Sequence, residues 1–109
     1  MTKNTFAGSG QYSQHLLGET HRNWENMTNT IAGVMNFNMF GIPVTGPDTC
    51  GYYSQGEKTK ETEELCARWI QLATYYPFAR QHRDDKPEGA LEPYLMDELH
   101  KNWTRNAMH

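Results

Sequence analysis

The sequence predicts an α/β chain organised around a short parallel sheet. Two amphipathic helical stripes flank one short apolar run, and a third helical stripe follows a polar linker. Helix, short strand and helix in alternation is the rhythm of βα units on a parallel sheet. The run Ile42–Val44 is continuously apolar rather than alternating, as a strand covered on both faces reads. With 109 residues the chain makes one small domain at most, able to bury about two-thirds of its unfolded surface.

Each element has its own signal. Residues 1–19 are rich in Gly and Ser and read as loop with short extended pieces. Trp24, Met27, Ile31, Val34 and Met35 recur at helical spacing, with Thr20 placed to cap the helix and Gly41 to stop it. Thr28, Asn29, Thr30 and Gly33 make that helix poor by propensity, so it depends on tertiary packing. Ile42-Pro43-Val44-Thr45, between Gly41 and Gly46, fits a buried strand in which Pro43 marks a start or an edge. Residues 52–62 read as a polar surface loop. Leu65, Trp69, Leu72 and Tyr76 form the second stripe, ended by Pro77. Glu61, Glu63 and Glu64 suit the dipole of its first turn. Residues 83–89 read as a polar linker. A third helix is expected from about Leu91, with Leu91, Tyr94, Leu95, Leu99 and Trp103 on one side and Pro93 in its first turn.

Composition excludes several classes. A net charge of -3 with scattered Lys and Arg gives no nucleic-acid footprint. No apolar run approaches the roughly 18 residues of a membrane span, and MTKNTFAGSG has no apolar core of a signal peptide. His15, Glu19 and His21 lack the HExxH spacing, and a metal needs three or four ligands, so no metal or other cofactor is expected. Ser9 and Ser54 have no nucleophile-elbow context. Trp24, Trp69 and Trp103 lie on helical stripes and read as core rather than as sugar platforms. Asn26-Met27-Thr28 and Asn102-Trp103-Thr104 are formal glycosylation sequons. Cys50 and Cys66 are too few to define a disulfide framework, so the residues by themselves leave two buried thiols open.

One stretch is more specific than any of these. Phe37 to Tyr53 reads FNMFGIPVTGPDTCGYY, and Glu61 to His82 reads ETEELCARWIQLATYYPFARQH. Upstream stand Thr5-Phe6-Ala7-Gly8-Ser9-Gly10 and His15-Leu16-Leu17-Gly18-Glu19. Downstream stand Leu91-Glu92-Pro93-Tyr94-Leu95 and Leu99-His100. In this order the segments resemble the catalytic domain of glycoside hydrolase family 31 α-glucosidases, whose pattern is close to RSTFAGSG, HWLGD, FNLFGIPYTGADICGF, EELCxRWxQLGAFYPFxRNH and LLPYLYTLFH. The resemblance implies a partial (β/α)8 TIM barrel over residues 1–109, contributing βα units of its C-terminal half. A complete barrel needs roughly 200 residues or more. The loop around Glu57–Lys60 is longer than the family's. Only nine residues separate His82 from Glu92, where family members have a few dozen.

The resemblance also assigns roles. Retaining glycoside hydrolysis uses two carboxylates, one attacking the anomeric carbon and one protonating the leaving oxygen. Glu19 stands at the family's acid/base position, normally Asp. Lys3 stands where the family has an Arg that contacts the sugar or the acid, and it keeps the charge but not the planar fork. Asp48, Arg80 and His82 fall on substrate-pocket positions, while Gln81 replaces an Asn. Leu16 replaces a Trp that walls the subsite, in a class of pocket that favours aromatic walls. Cys50 and Cys66 fall on two family cysteines that typically bridge, which implies a secretory, lysosomal or extracellular setting for the parent protein. The nucleophile's WxDMNE-type motif has no match in residues 1–109. The expected function is thus that of an α-glucosidase-like fragment taking an α-glucoside or oligosaccharide. The alternatives are a non-catalytic carbohydrate-binding remnant and a truncated product without independent function. Self-association through exposed barrel surface is expected.

Overall fold

A computed structural model describes residues 1–109 apart from Gln55 and Glu57, so those two positions of the long polar loop lie outside the described residues. Strands β1 (His15–Leu16) and β2 (Thr45–Gly46) pair in parallel, His15 opposite Thr45 and Leu16 opposite Gly46. Isolated parallel bridges carry the pattern outward, Thr2 beside His15 and Asp48 beside Arg80. Leu16 N–H donates to Thr2 O at 2.9 Å, His15 N–H to Val44 O at 3.2 Å and Thr49 N–H to Arg80 O at 2.8 Å. Four parallel segments therefore lie side by side in chain order, an arc of α/β sheet. The strand falls later than Ile42–Val44. Pro43 has no N–H for a ladder and lies exposed just ahead of it, while Ile42 is buried and donates its N–H to Phe37 O at the end of α1. Gly46 is required here, because a Cβ would stand 2.0 Å from the carbonyl oxygen of Phe78.

Helix α1 spans Trp24–Met39. Its cap is Asn23, not Thr20: the Asn23 side chain accepts from Asn26 N–H at 2.7 Å, while the Thr20 carbonyl is used by another loop. Gly41 does stop it, at φ 82°. The buried face also differs from the expected stripe. Gly33 lies against Leu17, Thr30 and Val34 are buried, and Phe37 stacks on His15 with ring centroids 3.7 Å apart. Glycine allows close approach, so this face meets the sheet and leaves Trp24, Ile31 and Met35 38%, 42% and 62% exposed. Removing the cap by Asn23→Ala is expected to lower stability by about 1 kcal/mol in urea unfolding.

Helix α2 spans Lys60–Ala73 and opens with a reciprocal cap between Thr59 and Thr62. Leu65 and Trp69 are buried as expected, Trp69 completely. Cys66, Ala67, Ile70 and Ala73 are buried too, because α2 is covered on more than one side. Helix α3 spans Glu98–Met108, not from Leu91. Pro93 restricts Glu92 to extended backbone (ψ 142°), a short turn follows, and Asp97 caps the helix at His100 N–H. Leu91 is accordingly buried in the core with Cys50, Cys66, Ile70 and Met96, whereas Tyr94, Leu95 and Leu99 are exposed. Glu63 of α2 faces His100 Nδ1 at 3.4 Å and Lys58 Nζ at 2.8 Å, tying α3 to α2.

Burial holds His15 below the usual histidine value. The unfolded chain therefore binds this proton more readily than the folded one. His15 should cost stability progressively as pH falls below about 6.5, and not above it. Replacing it by phenylalanine should flatten that part of a stability–pH curve.

Candidate functional site

The carried-over residues lie on or just beyond strand segments. Lys3 comes directly after Thr2, Glu19 after β1, and Asp48 after β2, while Arg80 is itself bridged and His82 lies just beyond. In a parallel sheet these positions share the carboxyl edge, where α/β folds build their sites.

Asp48 is the anchor of the group. It is completely buried, and its Oδ1 accepts from Arg80 Nε at 2.6 Å. His82 Nδ1 stands 3.9 Å from the same oxygen, and Oδ2 is buried without a protein partner among the described residues. The structure thus brings Asp48, Arg80 and His82 together. Lys3 and Glu19 form a separate ion pair at the same edge. The hydrogen bond to Glu19 chiefly raises the Lys3 ammonium above the ordinary lysine value, partial desolvation opposes it, and the charges of Glu19, Tyr53 and Asp48 add to it.

The loop beyond β2 is fixed by covalent chemistry. Cys50, two residues past Asp48, is joined to Cys66 of α2 as a buried disulfide with Cα atoms 4.6 Å apart. The pairing that the resemblance implied is present. Cys50 adopts φ 72°, a left-handed conformation uncommon for residues other than glycine.

Two features escaped the sequence reading. Arg22 is buried and donates from Nε to Cys50 O at 2.9 Å and from Nη1 to Gly89 O at 2.7 Å, with burial lowering its guanidinium from the usual value. Residues 83–89 are therefore not a free linker. Nothing local in the sequence marks Arg22, since both acceptors are backbone carbonyls distant in the chain. The second feature is aromatic. His21, Tyr53, Tyr52 and His82 make successive ring contacts, with centroids 5.1, 4.9 and 5.2 Å apart. Leu16, at the family's Trp position, is buried, and Trp24 is partly exposed rather than core.

His15, Glu19 and His21 are not among the side chains that gather as candidate metal ligands. Among the described residues, the candidate metal ligands that cluster are Glu63, Asp97 and His100, within 4.8 Å of one another. There Lys58 already supplies the positive charge facing Glu63. No helix among the described residues is long and apolar enough to cross a membrane.

The family described as glycosyl hydrolases family 31 TIM-barrel domain matches residues 1–109. Human intestinal sucrase-isomaltase is 46% identical over 85 residues, covering 78% of this chain and 4% of that protein. Rat lysosomal alpha-glucosidase is 38% identical over 109 residues, covering 98% of this chain and 11% of that protein. Alpha-xylosidase 1 of Arabidopsis thaliana is 43% identical over 82 residues, covering 75% of this chain and 8% of that protein. The solved structure of a glucosidase II alpha subunit with Tris bound superposes with a TM-score of 0.80 at 26% identity, covering 94% of this chain and 10% of that one. The chain thus spans about a tenth or less of the relatives it matches, and several of these are lysosomal, intestinal or endoplasmic-reticulum enzymes. A family pattern running the length of the chain, on an α/β arc whose polar residues gather at the carboxyl edge, places it: the chain belongs to glycosyl hydrolase family 31 and carries a stretch of its TIM-barrel domain.

Proposed function

We propose that these residues supply the acid/base loop and one side of the glucose pocket of a retaining α-glucosidase in the secretory pathway. Glu19 is the proton donor to the leaving oxygen. Asp48 and His82 bind sugar hydroxyls, with Arg80 holding Asp48 and Lys3 facing Glu19. One observation carries the reading: Asp48, Arg80 and His82 converge on a single buried carboxylate whose second oxygen has no protein partner. The two conservative departures also offset each other. Lys is one bond shorter than Arg and Glu one bond longer than Asp, and Lys3 and Glu19 still meet as an ion pair.

The attacking carboxylate has no counterpart in residues 1–109. The 109-residue polypeptide by itself is expected to show no turnover of a chromogenic α-glucoside. Turnover by it that vanished in Glu19→Gln would overturn this. Sugar binding needs no nucleophile. A glucose-like iminosugar should bind, and Asp48→Asn should weaken it by about tenfold, the scale of a hydrogen bond to a charged group.

A second reading, a carbohydrate-binding remnant without catalysis, is favoured by Leu16, which is buried where an aromatic wall is expected. Co-expression with a nucleophile-bearing upstream half barrel of a family member separates the two. Turnover that depends on Glu19 supports the enzyme, and an assembled but inert complex supports the remnant.

Self-association belongs to the same proposal. Met35, Met39 and Phe40 are 62%, 83% and 66% exposed along α1, apolar surface with no protein cover among the described residues. Sedimentation of the polypeptide should show dimers or larger species at micromolar concentration. A strictly monomeric boundary would count against it.

A further inference from the structure

The ring contacts at the carboxyl edge form a corner rather than a row. Tyr52 meets Tyr53 edge-on, at an interplanar angle of 86°. On one side of this corner Tyr52 lies against His82, beside Asp48. On the other side Tyr53 lies against His21 at the more nearly parallel angle of 36°. The second side is fastened to the loop of Glu19. The carbonyl of Thr20, the next residue after Glu19, accepts from Tyr52 N–H at 2.8 Å and from Tyr53 N–H at 3.1 Å. Arg22 N–H returns a bond to Tyr53 O at 3.1 Å. These are backbone contacts, so they hold the Tyr53 ring in register with Glu19 while leaving its side chain available. Tyr53 is 40% exposed.

A disaccharide presents two rings joined by one oxygen, and a proton donor to that oxygen sits between them. The Asp48–His82 side of the corner supplies a buried carboxylate and an exposed imidazole as hydrogen-bonding groups for one ring. The Tyr53–His21 side offers an exposed aromatic face, and the buried guanidinium of the neighbouring Arg22 is engaged by Cys50 O and Gly89 O. Such a face suits the apolar C–H surface of a sugar and tolerates variation in its hydroxyls. We propose that Tyr53 and His21 form the platform for the second ring, the leaving group of an α-linked disaccharide. The proposal rests on the sugar-pocket reading above, and it makes Tyr53 the specificity-determining side chain for what is attached to the bound glucose.

The test uses the 109-residue polypeptide and two probes, methyl α-glucoside with one ring and maltose with two, titrated by NMR. The variants are Tyr53→Ala, His21→Ala and Tyr53→Phe. Tyr53→Ala should weaken maltose by about three- to tenfold, the scale of one aromatic contact, and leave methyl α-glucoside unchanged. His21→Ala should act in the same direction with a smaller effect, and Tyr53→Phe should keep maltose affinity because the ring remains. Unchanged maltose affinity in Tyr53→Ala, with both sugars bound, overturns the platform and leaves the glucose pocket standing. Equal weakening of both sugars in Tyr53→Ala also overturns it, by showing that Tyr53 supports the pocket as a whole. If the unaltered chain binds neither probe, the pocket reading fails and the platform falls with it.

Discussion

Replacing Cys50 and Cys66 together by alanine is expected to lower the stability of the chain by about 3 kcal/mol. The residues are 16 apart in sequence, and closing a loop of that size restricts the unfolded chain by about this amount. For a domain of this length that corresponds to a fall in midpoint of about 12–24 °C. Small domains hold about 5–15 kcal/mol in total, so the loss takes much of the reserve. Function should follow stability. Cys50 holds a left-handed backbone two residues beyond Asp48, a conformation that persists only where its surroundings impose it. Freed of the bridge, the loop Pro47–Cys50 should relax, and iminosugar binding should weaken more than global unfolding alone explains. Urea unfolding with and without reductant, followed on the unaltered chain and on the double variant, provides the measurement. A shift below about 1 kcal/mol would show that packing with Ile70, Leu91 and Met96 already fixes the loop.

Arg22→Met is the other change expected to act strongly. The guanidinium fills a buried position and satisfies two backbone carbonyls, Cys50 O and Gly89 O. Each buried acceptor left without a donor costs about 1–3 kcal/mol. A total near 3 kcal/mol is expected, because methionine recovers some packing and water reaches part of the gap. Lysine should not rescue it, since a single ammonium lacks the fork that spans two acceptors. The loss should be felt along residues 83–89, whose other ties include Asp84 N–H to Tyr52 O at 3.0 Å, Ser54 Oγ to Asp84 Oδ1 at 3.0 Å and Arg83 Nε to Glu92 Oε1 at 3.3 Å. Hydrogen exchange should therefore accelerate at Asp84 before it does in α2. Uniform acceleration throughout would mean that Arg22 contributes only to the global fold. The Arg22 and disulfide effects should not add, because both act through Cys50.

The sequence by itself determined the family, the α/β class and the elements whose signals are local. Helix α2 was legible because its acidic first turn and apolar spacing lie within one stretch of chain, although its cap Thr59 and its first residues lay in what read as a polar loop. Gly41 was legible as a stop because a left-handed cap is a local backbone demand. The cysteine pair was legible only through the ordered resemblance, and the proposed pocket positions rest on it too, since Asp48, Arg80 and His82 have no motif spacing of their own. Tertiary structure decided everything that depends on partners distant in the chain. It chose Thr30, Gly33, Val34 and Phe37 as the inner face of α1, because a glycine at the contact lets the backbone approach the sheet, and left the larger Ile31 and Met35 outside. It took Leu91 out of the third helix and into the disulfide core, because extended backbone before Pro93 turns the chain there. It made Arg22 a clamp and Tyr53 a neighbour of the Glu19 loop through hydrogen bonds to backbone carbonyls, atoms that every residue possesses and that no side-chain pattern can announce.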